Sequence, residues 1–149
     1  MKTFVTAKLH GLRVTEADLD YHGSITLDPD HCEAAGILPM EFVDIWNKQS
    51  GARISTYVIY GTRGGRQCVL NGAAARTCQV GDQLIICANE MRPAGDVTEL
   101  RPTVLTFTPD NYIDEVLTYV AERDAEGRIK FEIRKAGESQ AIPYKAGAA

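Results

Sequence analysis

The dipeptide Gly23-Ser24, preceded by Tyr21 and His22, is a place where the chain could cut its own backbone. A serine hydroxyl can attack the carbonyl of the residue before it when a tight turn strains that peptide, and glycine permits such turns. About one Gly-Ser pair is expected by chance in a chain of this length, at an average usage of roughly 7% for each residue. A simple turn that leads into a strand is therefore the alternative interpretation.

Two basic residues, Lys8 and His10, lie two positions apart in a segment with the alternating pattern of a β-strand. Side chains two apart on a strand point to the same face, with about 7 Å between them. A solvent-exposed face that carries ordinary charges is the alternative to a functional pair.

A second predicted strand places Arg53, Ser55 and Tyr57 on one face, while Thr56 points to the other face. An arginine beside a tyrosine and a hydroxyl can hold a carboxylate through two hydrogen bonds and can supply a proton. These residue types are also common on exposed strands, so a surface without a function is again the alternative.

Residues 71–75, Asn-Gly-Ala-Ala-Ala, combine a turn signal with side chains small enough for backbone N–H groups to approach a ligand closely. The residues concerned are Asn71, Gly72, Ala73 and Ala74. A turn that leads into a short helix accounts for the same pattern.

Short alternating apolar segments, separated by Gly, Asn, Asp and Pro, recur from residue 2 to about residue 108 and favour a β-barrel or sandwich. The predicted strands are residues 3–10, 24–27, 42–47, 52–60, 67–70, 83–89 and 103–107. Residues 47–51 and 62–66 are predicted to form hairpin turns.

A short helix is predicted for residues 30–35. Asp28 can cap this helix, Pro29 suits its first turn and Gly36 can end it. Trp46 and Tyr60 are predicted to be aromatic residues of the core.

The pattern changes after Pro109. Apolar residues at helical spacing predict an amphipathic helix over residues 110–123, and apolar residues that alternate with charged ones then predict a half-exposed strand. The first set is Ile113, Val116, Leu117 and Val120, and the second is Ile129, Phe131 and Ile133. We therefore expect a barrel domain over residues 1–112 and a C-terminal helix-strand extension over residues 113–149, packed on the barrel or on a neighbouring subunit.

Composition excludes several classes of protein. A hydrophobic fraction of 44% and a charged fraction of 24% indicate a globular chain. The net charge of −4 and the scattered basic residues disfavour nucleic-acid binding. The four cysteines form no zinc-ligand pattern and are expected to be reduced thiols, with no metal site. Neither a membrane span nor a signal peptide is evident, so a cytoplasmic protein without a membrane partner is expected.

Taken together, these elements resemble the pyruvoyl-dependent aspartate 1-decarboxylase family in their order and spacing. The motifs that carry the resemblance are KLHGLRVTEADLDYHGS, AAGIL, DIWN, GARISTYVI, NGAAAR and VGDQLII. The resemblance covers about residues 1–108, and the tail from about Asp110 has no counterpart in it.

The resemblance implies a mainly β fold, a double-psi β-barrel with short helices, assembled as a homotetramer with active sites at subunit interfaces. It also implies that Ser24 attacks Gly23, that the chain separates into residues 1–23 and 24–149, and that a covalent pyruvoyl group replaces Ser24. This ketone condenses with the amino group of L-aspartate and accepts the electron pair released with CO₂. The product is β-alanine, used for pantothenate and coenzyme A.

The resemblance also implies roles for individual residues. Arg53 pairs with the substrate carboxylate that is retained, Tyr57 donates the proton that replaces CO₂, and Thr56 supports the acyl shift and lines the substrate site. The remaining substrate site consists of Lys8, His10, Asn71, Gly72, Ala73 and Ala74. Tyr21 helps to shape the turn that is cut.

Three questions stay open at this point: the function of the chain, the way in which cleavage occurs and the range of substrates. The chain could be a homologue that never cleaves and serves as a binding module, or a barrel that binds DNA or protein. Cleavage could be spontaneous or assisted by a maturation factor, at a rate that depends on His22. Glutamate could also be tolerated as a substrate.

Overall fold

The computed structural model describes residues 1–136 and the backbone of residues 141–142. The described part is mainly β, with eleven strands, one α-helix and two 3₁₀ helices. The strands are β1 Lys2–Arg13, β2 Glu16–Asp18, β3 Ser24–Leu27, β4 Phe42–Asn47, β5 Arg53–Tyr60, β6 Cys68–Asn71, β7 Gln83–Arg92, β8 Thr103–Phe107, β9 Ile113–Arg123, β10 Ile129–Lys135 and β11 Ala141–Ile142. The helices are α1 Pro29–Ala35 and the 3₁₀ segments Gly72–Thr77 and Ala94–Thr98.

The strands form a mixed sheet in the order β11-β10-β9-β8-β1-β7-β4-β5-β3-β6-β2. Three neighbouring pairs, β1 with β8, β3 with β5 and β2 with β6, are parallel, and the other pairs are antiparallel. This architecture confirms the predicted mainly β class and is consistent with a double-psi β-barrel. No helix in the described residues is long and apolar enough to cross a membrane.

One cross-strand row identifies the face that packs into the core. Leu9, Ile86, Ile45 and Ile54 lie side by side on β1, β7, β4 and β5, and the first three are almost fully buried. Side chains alternate between the two faces of a strand. The neighbouring residues of these four strands therefore point to the outer face, where the predicted polar residues lie.

The predicted short helix is confirmed as α1, with its cap and its end where the sequence indicated. Asp28 accepts a hydrogen bond from the backbone N–H of Asp30, and Gly36 ends the helix in a left-handed conformation. Asp28 also accepts from the N–H groups of Gly64 and Arg66, at 3.1 and 2.9 Å. Burial opposes ionisation of this carboxyl, but the three backbone hydrogen bonds lower its pKa below the ordinary value.

The helix predicted for residues 110–123 was wrong, because this segment forms strand β9. Its apolar residues have helical spacing, but the chain pairs β9 with β8 on one side and with β10 on the other. β-Branched and aromatic residues such as Val116, Thr118 and Tyr119 suit a strand. The strand predicted around Phe131 is confirmed as β10. Up to residue 136, the extension is thus a β-hairpin that continues the main sheet.

Candidate active site

Ser24 is fully buried at the first position of β3, directly opposite Asn71 at the last position of β6. The antiparallel register of these two strands brings the residues together, although 47 positions separate them in the chain. Asn71 is buried as well. Two polar side chains from separate sequence motifs therefore form one buried site.

The hydroxyl of Ser24 has two hydrogen-bond partners. It donates to the carbonyl of His22 at 2.9 Å, and it accepts from Nδ2 of Asn71 at 2.9 Å. The ring closed by the first hydrogen bond contains the Gly23 carbonyl carbon, the atom that the hydroxyl would attack. The second hydrogen bond offers a donor that can stabilise negative charge on Oγ.

Gly72, at the start of the segment that follows β6, packs directly against the turn at Gly23. It has a positive φ of 67°, and a Cβ at this position would lie 2.9 Å from Cα of Gly23 and 3.2 Å from the carbonyl oxygen of Tyr21. Only glycine accommodates both the backbone conformation and the close approach. We call Tyr21, Gly23, Ser24, Asn71 and Gly72 the Ser24 cluster.

Thr56 and Tyr57 lie on the strand beside the Ser24 cluster. β5 runs parallel to β3 with Val58 next to Ile25, and continuing this register by two residues sets Thr56 beside Gly23. Thr56 pairs with the buried Val43 and faces inward. Tyr57 faces the other way, and its ring lies 5.9 Å from that of Phe42.

The outer face of the sheet carries the basic residues. His10, Ile85, Trp46 and Arg53 form one cross-strand row, and the Arg53 guanidinium lies 4.7 Å from the centre of the Trp46 ring. The prediction that Trp46 belongs to the core was wrong, because it packs under Arg53 on this face and is half-buried. Tyr60 does pack against the core, and its hydroxyl donates to the carbonyl of Ile37.

Lys8 lies on the same face, in the next cross-strand row. Its ammonium is 5.5 Å from the centre of the Tyr119 ring, which belongs to the C-terminal hairpin. We call Lys8, His10 and Arg53 the basic face. Three strands, β7, β4 and β5, separate β1, which carries Lys8 and His10, from β3, which carries Ser24. In the order of the sheet, those two residues therefore do not lie on a strand next to the Ser24 cluster.

His10 is a half-buried imidazole with an incomplete set of hydrogen bonds. Its Nδ1 is buried and has no hydrogen-bond partner among the described residues. Burial lowers the pKa of His10 from its ordinary value, and the positive charges of Lys8 and Lys48 lower it further. The neutral form of the ring is therefore favoured in this environment.

Ala73 and Ala74 lie in the 3₁₀ helix Gly72–Thr77 that follows Asn71, so the predicted turn into a short helix is confirmed. Within residues 1–136, no group of three His, Cys, Asp or Glu side chains is arranged to hold a metal ion. All four cysteines are free thiols, as predicted, and three of them are buried.

Thr26 was not among the site residues predicted from the sequence. Nδ2 of Asn71, which donates to Ser24, also donates to Oγ1 of Thr26 at 2.9 Å. The available signal was the spacing, because Thr26 follows Ser24 by two positions on a strand and therefore points to the same face.

Comparison with known proteins now identifies the family. The family model described as aspartate decarboxylase matches residues 1–114. The chain belongs to the aspartate decarboxylase family. A protein of Beijerinckia indica subsp. indica, named aspartate 1-decarboxylase, is 62% identical over 147 residues, which cover 98% of each chain. Proteins with the same name from Xanthobacter autotrophicus and Methylocella silvestris are each 60% identical, over 97% and 99% of this chain.

These relatives match more of the chain than the motifs alone suggested. The family model ends at residue 114, whereas the similarity to the whole relatives covers 97% or more of this chain and 96% or more of theirs. The C-terminal segment is therefore shared with relatives and is not peculiar to this chain. Their common name gives no support to the alternative of a non-cleaving barrel.

Proposed function

We propose that this chain is the precursor of a pyruvoyl-dependent aspartate decarboxylase, which cuts itself between Gly23 and Ser24 and converts L-aspartate into β-alanine and CO₂. The observation that carries the proposal is the buried Ser24 hydroxyl, held between Asn71 and the carbonyl of His22. Relatives at about 60% identity over nearly the whole chain bear the name of this enzyme.

Self-cleavage begins as an acyl shift. Oγ of Ser24 bonds to the carbonyl carbon of Gly23, the bond from that carbon to the Ser24 nitrogen breaks, and the hydroxyl proton ends on the freed amine. Loss of the Ser24 α-proton then expels Gly23 as a carboxylate that carries Oγ away. Water adds to the remaining dehydroalanine and ammonia leaves, which generates a ketone at position 24.

The residues of the Ser24 cluster fit a ketone at this position. Ser24 and Asn71 are buried, Asn71 offers N–H groups, and Gly72 leaves no side chain between the loop and residue 23. The pyruvoyl group supplies a carbonyl that condenses with the substrate's amino group and accepts the electron pair left by CO₂. Asn71 and the backbone of Gly72, Ala73 and Ala74 line the substrate site beside it.

Recognition of the substrate falls to the basic face and its neighbours. Arg53 binds the carboxylate that is retained in the product, through the paired hydrogen bonds that a guanidinium can donate. Lys8 supplies a positive charge and the neutral His10 supplies a ring that can form hydrogen bonds with the same substrate, which carries two carboxylates. Tyr57 delivers the proton that replaces CO₂, and Thr56 supports the acyl shift from the strand beside Gly23 and lines the substrate site.

The separation of Lys8 and His10 from Ser24 by three intervening strands supports a homotetramer with shared active sites, because a neighbouring copy can bring its basic face to the Ser24 cluster. Exposed apolar side chains at the start of β4 and just before it support this assembly, because large exposed apolar patches mark interfaces. They are Leu38, Met40 and Phe42, and each is at least 66% exposed.

Several finer points belong to the same proposal. Tyr21 shapes the turn that is cut. The enzyme acts in the cytoplasm, where its β-alanine serves pantothenate and coenzyme A synthesis. Cleavage is either spontaneous or accelerated by a maturation factor, and in both cases warming the purified precursor alone is expected to produce the two chains.

The proposal is tested by trapping the substrate on the protein. Borohydride is added to the purified, warmed protein in the presence of L-aspartate, and the masses of the chains are measured. We expect a mass increase on the chain 24–149 alone, together with production of β-alanine and CO₂. L-Glutamate serves as the matched comparison for substrate length. Absence of both the adduct and β-alanine would refute the proposed function.

A further inference from the structure

We infer that Thr26 is a positioning residue that holds the carboxamide of Asn71 through self-cleavage and afterwards in the mature enzyme. The inference rests on the proposed function and deepens it, because it names the residue that keeps Asn71 in place when Ser24 loses its hydroxyl.

The geometry begins with Nδ2 of Asn71, which has two N–H groups. One is donated to Oγ of Ser24 and the other to Oγ1 of Thr26, each at 2.9 Å. Both donors are used within the site, and Ser24 and Thr26 point to the same face of β3. The carboxamide is therefore fixed by two hydroxyls that lie two positions apart on one strand.

The rotamer of Thr26 is set by a second contact. A Cβ built on Gly61 would lie 2.9 Å from Cγ2 of Thr26, so the absence of a side chain at Gly61 provides the space in which this methyl group lies. With the methyl group against Gly61, the hydroxyl is directed to Asn71. A β-branched side chain has few χ1 alternatives, so the hydroxyl is held in this direction.

Cleavage makes the two hydrogen bonds of Asn71 unequal. In the acyl shift and elimination, Oγ leaves with the carboxylate of Gly23, so Asn71 loses its acceptor on residue 24. The hydroxyl of Thr26 takes no part in these bond changes and stays. Thr26 therefore keeps the carboxamide in place while residue 24 becomes a ketone, and leaves the other N–H group directed at the reacting position.

The test compares four variants of the full-length chain: Thr26→Val, Thr26→Ser, Asn71→Ala and the double variant Thr26→Val with Asn71→Ala. Valine has nearly the shape of threonine without the hydroxyl, and serine keeps the hydroxyl. Thr15→Val is the matched control, because Thr15 also bonds through its hydroxyl to a neighbouring strand, at Cys68, but does not touch Asn71. The rate of cleavage is measured by mass spectrometry during warming.

We expect Thr26→Val to cleave roughly three- to tenfold more slowly, the loss that one hydrogen bond implies. Thr26→Ser is expected to restore most of this rate, and Thr15→Val to match the unmodified chain. In the double variant, the valine should add little to the effect of Asn71→Ala, because Thr26 acts through Asn71. In the mature enzyme, Thr26→Val should raise KM for aspartate more than it lowers kcat.

The outcomes separate this inference from the proposed function. If the unmodified chain neither cleaves nor forms β-alanine, the proposed function fails. If the unmodified chain does both, two results would overturn only the role of Thr26. In the first, Thr26→Val cleaves and turns over aspartate like the unmodified chain. In the second, the effects of Thr26→Val and Asn71→Ala add independently in the double variant. A lower melting temperature with unchanged cleavage and KM would likewise reduce Thr26 to a structural residue.

Discussion

The Ser24 cluster and the basic face belong to one sheet but differ in burial and in how many of their hydrogen bonds are satisfied. Ser24 and Asn71 are buried, and the hydrogen bonds of the Ser24 hydroxyl are completed by residues of the same chain. Arg53 is exposed, its described contact being with Trp46, and Nδ1 of His10 has no described partner. The hydrogen bonds of the first region therefore need no second chain, whereas the second region is an open surface among the described residues. Cleavage and decarboxylation should therefore be separable by mutation.

The largest effect is expected from Ser24→Ala. Without Oγ, no bond can form to the Gly23 carbonyl, so the chain should stay intact and show no decarboxylase activity. The alanine fits where the serine is buried, and the variant should remain folded by circular dichroism. Activity in this variant, or a cut at position 24, would contradict the role of the Ser24 cluster in self-cleavage.

Arg53→Ala tests the other side of the comparison. We expect cleavage at the normal rate, because the guanidinium is not among the hydrogen-bond partners of the Ser24 cluster. Transition-state binding of aspartate should weaken by about 2 to 5 kcal/mol if the lost ion pair is desolvated between subunits. The measurements are the mass of the two chains and kcat/KM. A precursor that fails to cleave would show that the two regions are not separable.

Gly72→Ala tests the close contact between Gly72 and the turn at Gly23. The added methyl group would lie 2.9 Å from Cα of Gly23, at a positive φ that costs an alanine about 1 to 2 kcal/mol. We expect slower cleavage, measured by mass spectrometry, as well as lower stability. Gly127→Ala is the matched control, because Gly127 has a φ of 78° and no atom within 4 Å of its added Cβ. Equal cleavage rates in the two variants would mean that the contact with Gly23 has no role.

The smallest effect is expected from His10→Gln, measured as the pH dependence of the free energy of unfolding. The pKa of His10 is lowered in the folded chain, so below the ordinary histidine pKa the unfolded chain takes up a proton that the folded chain resists. Stability is therefore lost as the pH falls through that value towards the folded pKa. His10→Gln should reduce this loss, when both chains carry Ser24→Ala to prevent cleavage. An unchanged slope would contradict the burial of His10.

Local patterns predicted much of this molecule. Alternation identified the strand around Lys8 and His10, turn and cap residues identified α1, and two-residue spacing set Arg53 and Tyr57 on one face. These features depend on neighbours in sequence. The roles of the site residues came from the resemblance to the family and stay predictions.

The pairing between strands that are distant in the chain could not be predicted from the sequence. β9 was mistaken for a helix because its apolar residues have helical spacing, and only its pairing with β8 and β10 shows that it is a strand. Trp46 is aromatic but packs beneath Arg53 on the outer face, and Thr26 matters only because Asn71 lies within hydrogen-bond distance. Each case depends on a strand partner that no local pattern specifies.

The most direct test of the central claim is the mass of the full-length protein after purification and warming. Self-cleavage at the Ser24 cluster predicts two chains, residues 1–23 ending in an ordinary carboxylate and residues 24–149 lighter than their serine form by one ammonia. A single intact chain, or a cut chain that begins with an unmodified serine, would contradict the account.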